Sequence, residues 1–160
     1  MTDRPKLTLE RTFDASIDEV WELWTTREGI QLWWGPEGFS VVVEALDLRP
    51  GGELAYAMSA TRAEEIEYMA QAGMPLTTHH RLTFIEVDPP RKLAYKDLAD
   101  FIPGVEPYEV ETVVELQEVE EGVRMTMTFD AMHDAHWTRL AKLGRESELE
   151  RLAKVLAARE

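Results

Sequence analysis

One feature limits the fold more than any other. From Phe39 to Asp130 apolar and polar residues alternate in short runs broken by turn residues; the rhythm then becomes helical and holds over residues 134–158. Alternation puts successive side chains on opposite faces of a strand, so each run reads as half-buried. Phe39, Val41, Val43 and Ala45 share one face, and Leu54, Tyr56 and Met58 another, across the turn signal Pro50-Gly51-Gly52. Strands follow at 79–87 and 92–99 around Asp88-Pro89-Pro90, then at 108–117 and from Val123 to Phe129 around Glu121-Gly122. Turn-linked strands pair antiparallel, and one amphipathic helix after them must cover their apolar face. Trp137, Leu140, Ala141, Gly144, Leu152 and Val155 form the inner stripe expected of that helix.

The first forty residues add one strand and two short helices. Leu7, Leu9, Arg11 and Phe13 alternate with Lys6, Thr8, Glu10 and Thr12. Ser16 then precedes Asp18 and Glu19, an N-cap with acids in the first helical turn. A second helix over 27–33 stops at Gly35-Pro36. Four of the five tryptophans, Trp21, Trp24, Trp33 and Trp34, fall in this region. They either pin the short helices onto the end of the sheet or line the entrance of a pocket. Adjacent helical residues point about 100° apart, which argues against full burial of both Trp33 and Trp34. Residues 61–76 (TRAEEIEYMAQAGMPL) break the strand rhythm with helical composition.

The charge excludes some partners. A net charge of −14 repels phosphate backbones and anionic bilayers, so no nucleic acid and no membrane are expected as partners. Without cysteine there is no disulfide or thiol chemistry. The N-terminus lacks an apolar signal region, and a cytoplasmic location is the expectation. Neither G-x-S-x-G, a Gly-rich phosphate loop nor H-E-x-x-H occurs.

Arg11, Phe13 and Ala15 closing the first strand, the Val20-Trp21 pair, the Trp33-Trp34-Gly35-Pro36 block, the Pro50-Gly51-Gly52 turn and the segment from Asp88 to Leu93 together resemble a known family. It is the START-like, or SRPBCC, superfamily, in the branch named for the activator of the heat-shock-protein-90 ATPase. The closing helix, with Trp137 and Ser147-x-Leu149, fits the same branch. The resemblance spans nearly the whole chain and implies one α+β domain over 1–160. Its fold would be the helix grip: a seven-stranded curved antiparallel sheet around a long C-terminal helix, two short helices after the first strand, and a mainly apolar cavity between. The helical insertion at about 61–76 departs from the pattern, as either a lid over the cavity mouth or a dimer contact.

Candidate ligand-binding residues follow from the inward register of that fold. Arg11 and Asp97 are the charged members, each either paired structurally or solvated at an edge, or orienting a ligand. Tyr56, Tyr95, Tyr108 and Thr112 supply hydroxyls, while Met58, Met125 and Met127 supply an adaptable apolar lining. Trp34, Trp137 and Gly144 complete the set; Gly144 costs about 1 kcal/mol in a helix, so close helix–sheet approach or cavity volume must account for it. His133-x-x-His136 has metal-ligand spacing with Asp130 or Asp134 as a third donor, but His79 and His80 point to opposite faces and ordinary surface or cap histidines are the simpler account. No metal and no cofactor are expected.

Three functions remain open at this level. A non-catalytic protein would bind a small hydrophobic molecule, driven by burial of its apolar surface. An enzyme similar to the superfamily's polyketide cyclases and aromatases would need an acid or base with a shifted pKa inside the cavity. A chaperone-interaction module is what the branch name implies, although the activator carries a separate N-terminal domain for which this chain leaves no room. A homodimer through 61–76 or a sheet edge is a further expectation.

Overall fold

The computed structural model describes residues 4–35, 38–100, 102 and 104–159. The chain runs β1 (Lys6–Phe13), α1 (Ile17–Thr25), α2 (Arg27–Trp33), β2 (Phe39–Leu46), β3 (Glu53–Ala60), α3 (Ala63–Gln71), β4 (Thr77–Asp88), β5 (Lys92–Ala99), β6 (Tyr108–Val119), β7 (Gly122–Asp130) and α4 (Ala135–Ala158). The seven strands form one antiparallel sheet ordered β1-β7-β6-β5-β4-β3-β2. Register shifts between Val43 and Ala45 and between Phe84 and Glu86 mark irregularities of the kind that bend a strand. The result is the expected helix-grip architecture. Pro36, Phe101 and Pro103, which mark the end of the second helix and a loop in the sequence, lie outside the described residues.

β1 and β2 are opposite edges, so α1 and α2 carry the chain across one end of the sheet. Local chemistry fixes that crossing. Ser16 Oγ accepts from the Glu19 amide at 3.1 Å and Glu19 Oε1 accepts from the Ser16 amide at 3.2 Å, a reciprocal capping box. Thr26 ends α1 and caps α2, its Oγ1 accepting from the Gly29 amide at 3.0 Å. A Cβ on Gly29 would stand 2.6 Å from the Glu22 carbonyl, so only glycine permits this tight helix–helix corner.

Two apolar clusters form. The main one joins the inward residues of the sheet to Val20, Leu23, Ile30 and the leucines 149, 152 and 156 of α4. A smaller one gathers Ala99, Ile102, Val110 and Met132, with Tyr108 and Trp137 against it. The expected helical stripe needs correction at Leu140, which is 43% exposed, because Leu149 and Leu156 carry the contact instead. Burial of both Trp33 and Trp34 also corrects the sequence reading: α2 ends at Trp33, and Trp34 is an extended C-cap, so helical angular spacing does not apply between them. Among the described residues, no helix is long and apolar enough to cross a membrane.

Candidate functional site

A cavity of about 280 Å³ lies between the sheet and the first half of α4. Its aromatic wall is made by Trp24, Trp33, Trp34, Tyr56 and Tyr95. The three tryptophans meet edge to face, with centroids 4.6, 5.3 and 5.1 Å apart. Trp33 is tied to α1 by its Nε1–H, which donates to the Leu23 carbonyl at 2.8 Å. Trp24 is 2% exposed, and its Nε1–H has no acceptor among the described residues. Plug and lining are therefore the same side chains.

The loop after α2 is held by α4. Arg151 Nη1 donates to the carbonyls of Trp34, Gly35 and Phe39 at 3.3, 2.8 and 3.0 Å. Glu148 Oε2 accepts from the Gly35 amide at 3.2 Å. These charge-assisted bonds fix the backbone that presents Trp34.

Opposite the rings stands a polar group of three: Asp97 on β5, and Arg145 and Glu148 on α4. Arg145 stacks with its Cζ 4.2 Å over the Phe129 ring, and its Nη1 lies 3.6 Å from Met127 Sδ. Burial raises both the Asp97 and Glu148 carboxyls above their ordinary range, with Arg145 opposing the shift in each case. Asp97 keeps substantial accessible area, but that area faces a concavity, and the protein crowding its other sides dehydrates it more than surface alone indicates. Burial also pushes the Tyr95 hydroxyl up to about 12 and raises Tyr56 further.

A second concavity adjoins the cavity on the sheet. β4 pairs with β5 only from Leu82↔Asp97 onward, although β4 begins at Thr77 and β5 ends at Ala99. Where the strands part, an open depression of about 820 Å³ is lined by residues from both faces and shares Tyr56, Leu82 and Asp97 with the cavity. His80 stands at this gap, stacked on Tyr56 with centroids 5.2 Å apart and its Nε2 2.7 Å from Thr78 Oγ1. Burial lowers its pKa.

Of the residues expected from sequence, Trp34, Tyr56, Tyr95, Asp97, Met127 and Gly144 line the cavity. The other six stand elsewhere. Arg11 lies on edge strand β1, where its Nη2 is 3.9 Å from Glu146 and its Nη1 donates to the Glu10 carbonyl; an edge strand places it beside α4, away from the cavity. Tyr108 belongs to the smaller cluster, its hydroxyl accepting from the His133 amide and meeting His133 Nδ1 at 2.9 Å. Trp137 packs in that cluster too, one turn too early on α4 to face the cavity. Met125 is fully buried core, and Met58 packs against the core beside Gly35. Thr112 sits fully buried opposite Tyr95 in register, and its hydroxyl has no hydrogen-bond partner among the described residues.

Sequence reasoning missed Arg145 and Glu148. A signal existed: with Ala141 and Gly144 they continue, at helical spacing, the stripe of Leu149, Leu152 and Leu156. Charged residues on a buried stripe mark a polar site. Residues 61–76 contribute nothing to the cavity wall; α3 stands beside Gly38 and β3, with the Thr61 amide donating to the Gly38 carbonyl at 2.9 Å. Among the described residues, no cluster of three His, Cys, Asp or Glu side chains is disposed to hold a metal ion. Asp134 N-caps α4, its Oδ1 accepting from the Trp137 amide at 2.8 Å.

Comparison with known proteins gives a consistent result. The family model described as "Activator of Hsp90 ATPase homolog 1-like protein" matches residues 14–157. Among solved structures, a protein from Chromobacterium violaceum superposes with a TM-score of 0.77 at 22% identity, covering 94% of this chain and 96% of its own. The AHSA1 protein from Silicibacter pomeroyi gives 0.76 at 19% identity, covering 98% and 100%. The AHSA1-like protein from Aeromonas hydrophila gives 0.75 at 21%, covering 96% and 93%. Identities this low establish the shared fold alone. No curated protein matches the chain.

Proposed function

Since the chain belongs to the family of Activator of Hsp90 ATPase homolog 1-like proteins, we propose that its cavity binds a small, largely apolar molecule with a polar end. The observation that carries this reading is the two-sided lining: five aromatic rings face Asp97, Arg145 and Glu148 across about 280 Å³. That volume approaches the lower end of ligand pockets, roughly 300 Å³. It is also room for about nine waters at their liquid volume. Apolar burial against the rings would drive binding, and the polar group would set orientation. The Gly144 face of α4 supports the same reading. A Cβ there meets nothing within 4 Å, so the glycine preserves space and no close approach demands it.

The test is native mass spectrometry of the purified protein beside a denatured control and an organic extract. A reproducible added mass, released on denaturation and lost in Gly144→Leu, is the expected result. A clean apo mass, together with no thermal shift across a panel of small aromatic compounds, would sink the proposal.

One observation favours a second reading, acid–base catalysis of the polyketide-cyclase kind: two carboxyls raised by burial face one cavity with two tyrosines. Turnover abolished in Asp97→Asn, with ligand affinity kept, would select it over simple binding.

A further inference from the structure

We infer that the molecule taken by this cavity is an aromatic carboxylate whose anionic end lies on Arg145. The inference rests on the binding role proposed above and names its ligand class. Its first support is the state of Arg145. Among the described residues no carboxylate stands at ion-pair distance from this guanidinium; a ring face and a thioether are its near contacts. A half-buried guanidinium in such surroundings gives up hydration without a strong acceptor in return. Stacking on Phe129 occupies the face of the group, and the in-plane N–H edge is the part that matches two carboxylate oxygens.

The second support is independent of charge. The Trp24 indole lines the same cavity through its ring carbons. The remaining rings of the wall specify a flat, aromatic body.

The groups facing Arg145 set the conditions. Asp97 and Tyr95 approach from β5 and Glu148 from α4, while Met127 and Phe129 of β7 carry no charge. Two ionised carboxylates would compete with an incoming anion. Both are held above the ordinary carboxyl range, so a bound carboxylate drives them further toward the neutral form. Anion binding is therefore coupled to proton uptake, and affinity rises as pH falls towards the ligand's own pKa.

The experiment uses three probes with one body and three ends: 2-naphthylacetate, 2-naphthylacetamide and 2-(2-naphthyl)ethylamine, titrated calorimetrically into the full chain. The acetate is expected to bind about tenfold tighter than the amide, as one charge-assisted bond provides. Arg145→Met should bring acetate and amide to the same affinity. Arg145→Lys should keep part of the preference, and acetate titrations in buffers of different ionisation enthalpy should show proton uptake. Equal or tighter binding of the amine or amide to the wild type would overturn the assignment, because Asp97 and Glu148 would then choose the ligand. An unchanged acetate preference in Arg145→Met would overturn it as well. If none of the three probes binds the folded wild type, the cavity-binding role itself falls and this assignment with it.

Discussion

The two halves of α4 do different work within one helix. Its second half buries Leu149, Leu152 and Leu156 to 4% exposure or less and closes the main core. Its first half buries no side chain to that degree and presents Ala141, Gly144 and Arg145 to the cavity, with Glu148 just past the midpoint. The same stripe of the helix thus runs from packed leucines to small and charged residues. Packing resists the loss of even a methylene, whereas a cavity wall tolerates change in stability and registers it in binding.

The largest expected effect lies in the packed half. Leu152→Ala should cost about 3 kcal/mol in denaturant unfolding, since large-to-small core changes leave a cavity that relaxes only partly. A loss below about 1 kcal/mol would mean the second half is not the anchor described. In the first half the sign reverses. Gly144→Ala should stabilise the protein by up to about 1 kcal/mol, because the helix gains propensity and the added Cβ meets nothing within 4 Å. Gly144→Leu should fold with near-native stability and lose the ligand, which thermal melting and native mass spectrometry together would report.

The smallest effect is electrostatic. Asp97 and Glu148 have folded pKa values above the unfolded values near 4, so in that window the folded state holds more protons. Their contribution to stability is greatest below about pH 4, falls as pH rises through the raised values, and then levels. The pair Asp97→Asn with Glu148→Gln should flatten that slope in urea titrations across pH. Asp130, at the β1–β7 edge, runs the other way: burial would raise it, but hydrogen bonds from Lys6 and the Glu111 amide outweigh that and lower it. Its stabilisation is present above its unfolded pKa and is lost as pH falls through the folded one, so Asp130→Asn should remove a slope of opposite sign.

The architecture was legible because it rests on local rules. Alternation placed all seven strands, Ser16 announced the N-cap of α1, and the boundaries of α2 and β5 match the sequence reading. The site was legible only in part. Tyr56, Tyr95 and Asp97 were found because strand parity carries them inward. Arg11 shares that parity, yet β1 is an edge strand, and strand order is a long-range property that alternation does not encode. Tyr108 and Trp137 stand away from the cavity for a related reason: they belong to a second cluster built by residues distant in sequence. Arg145 and Glu148 sit among charges on every side of α4, where the helical pattern is weakest, and only the leucines downstream reveal their face.

The most direct test of this division of α4 is a two-dimensional amide NMR titration with 2-naphthylacetate. The predicted result is saturable shifts at Ala141, Gly144, Arg145 and Glu148 and at the facing residues Tyr56, Tyr95 and Asp97, with Leu152 and Leu156 nearly unmoved. Shifts spread along the whole helix, or confined to the outer face of the sheet, would contradict it.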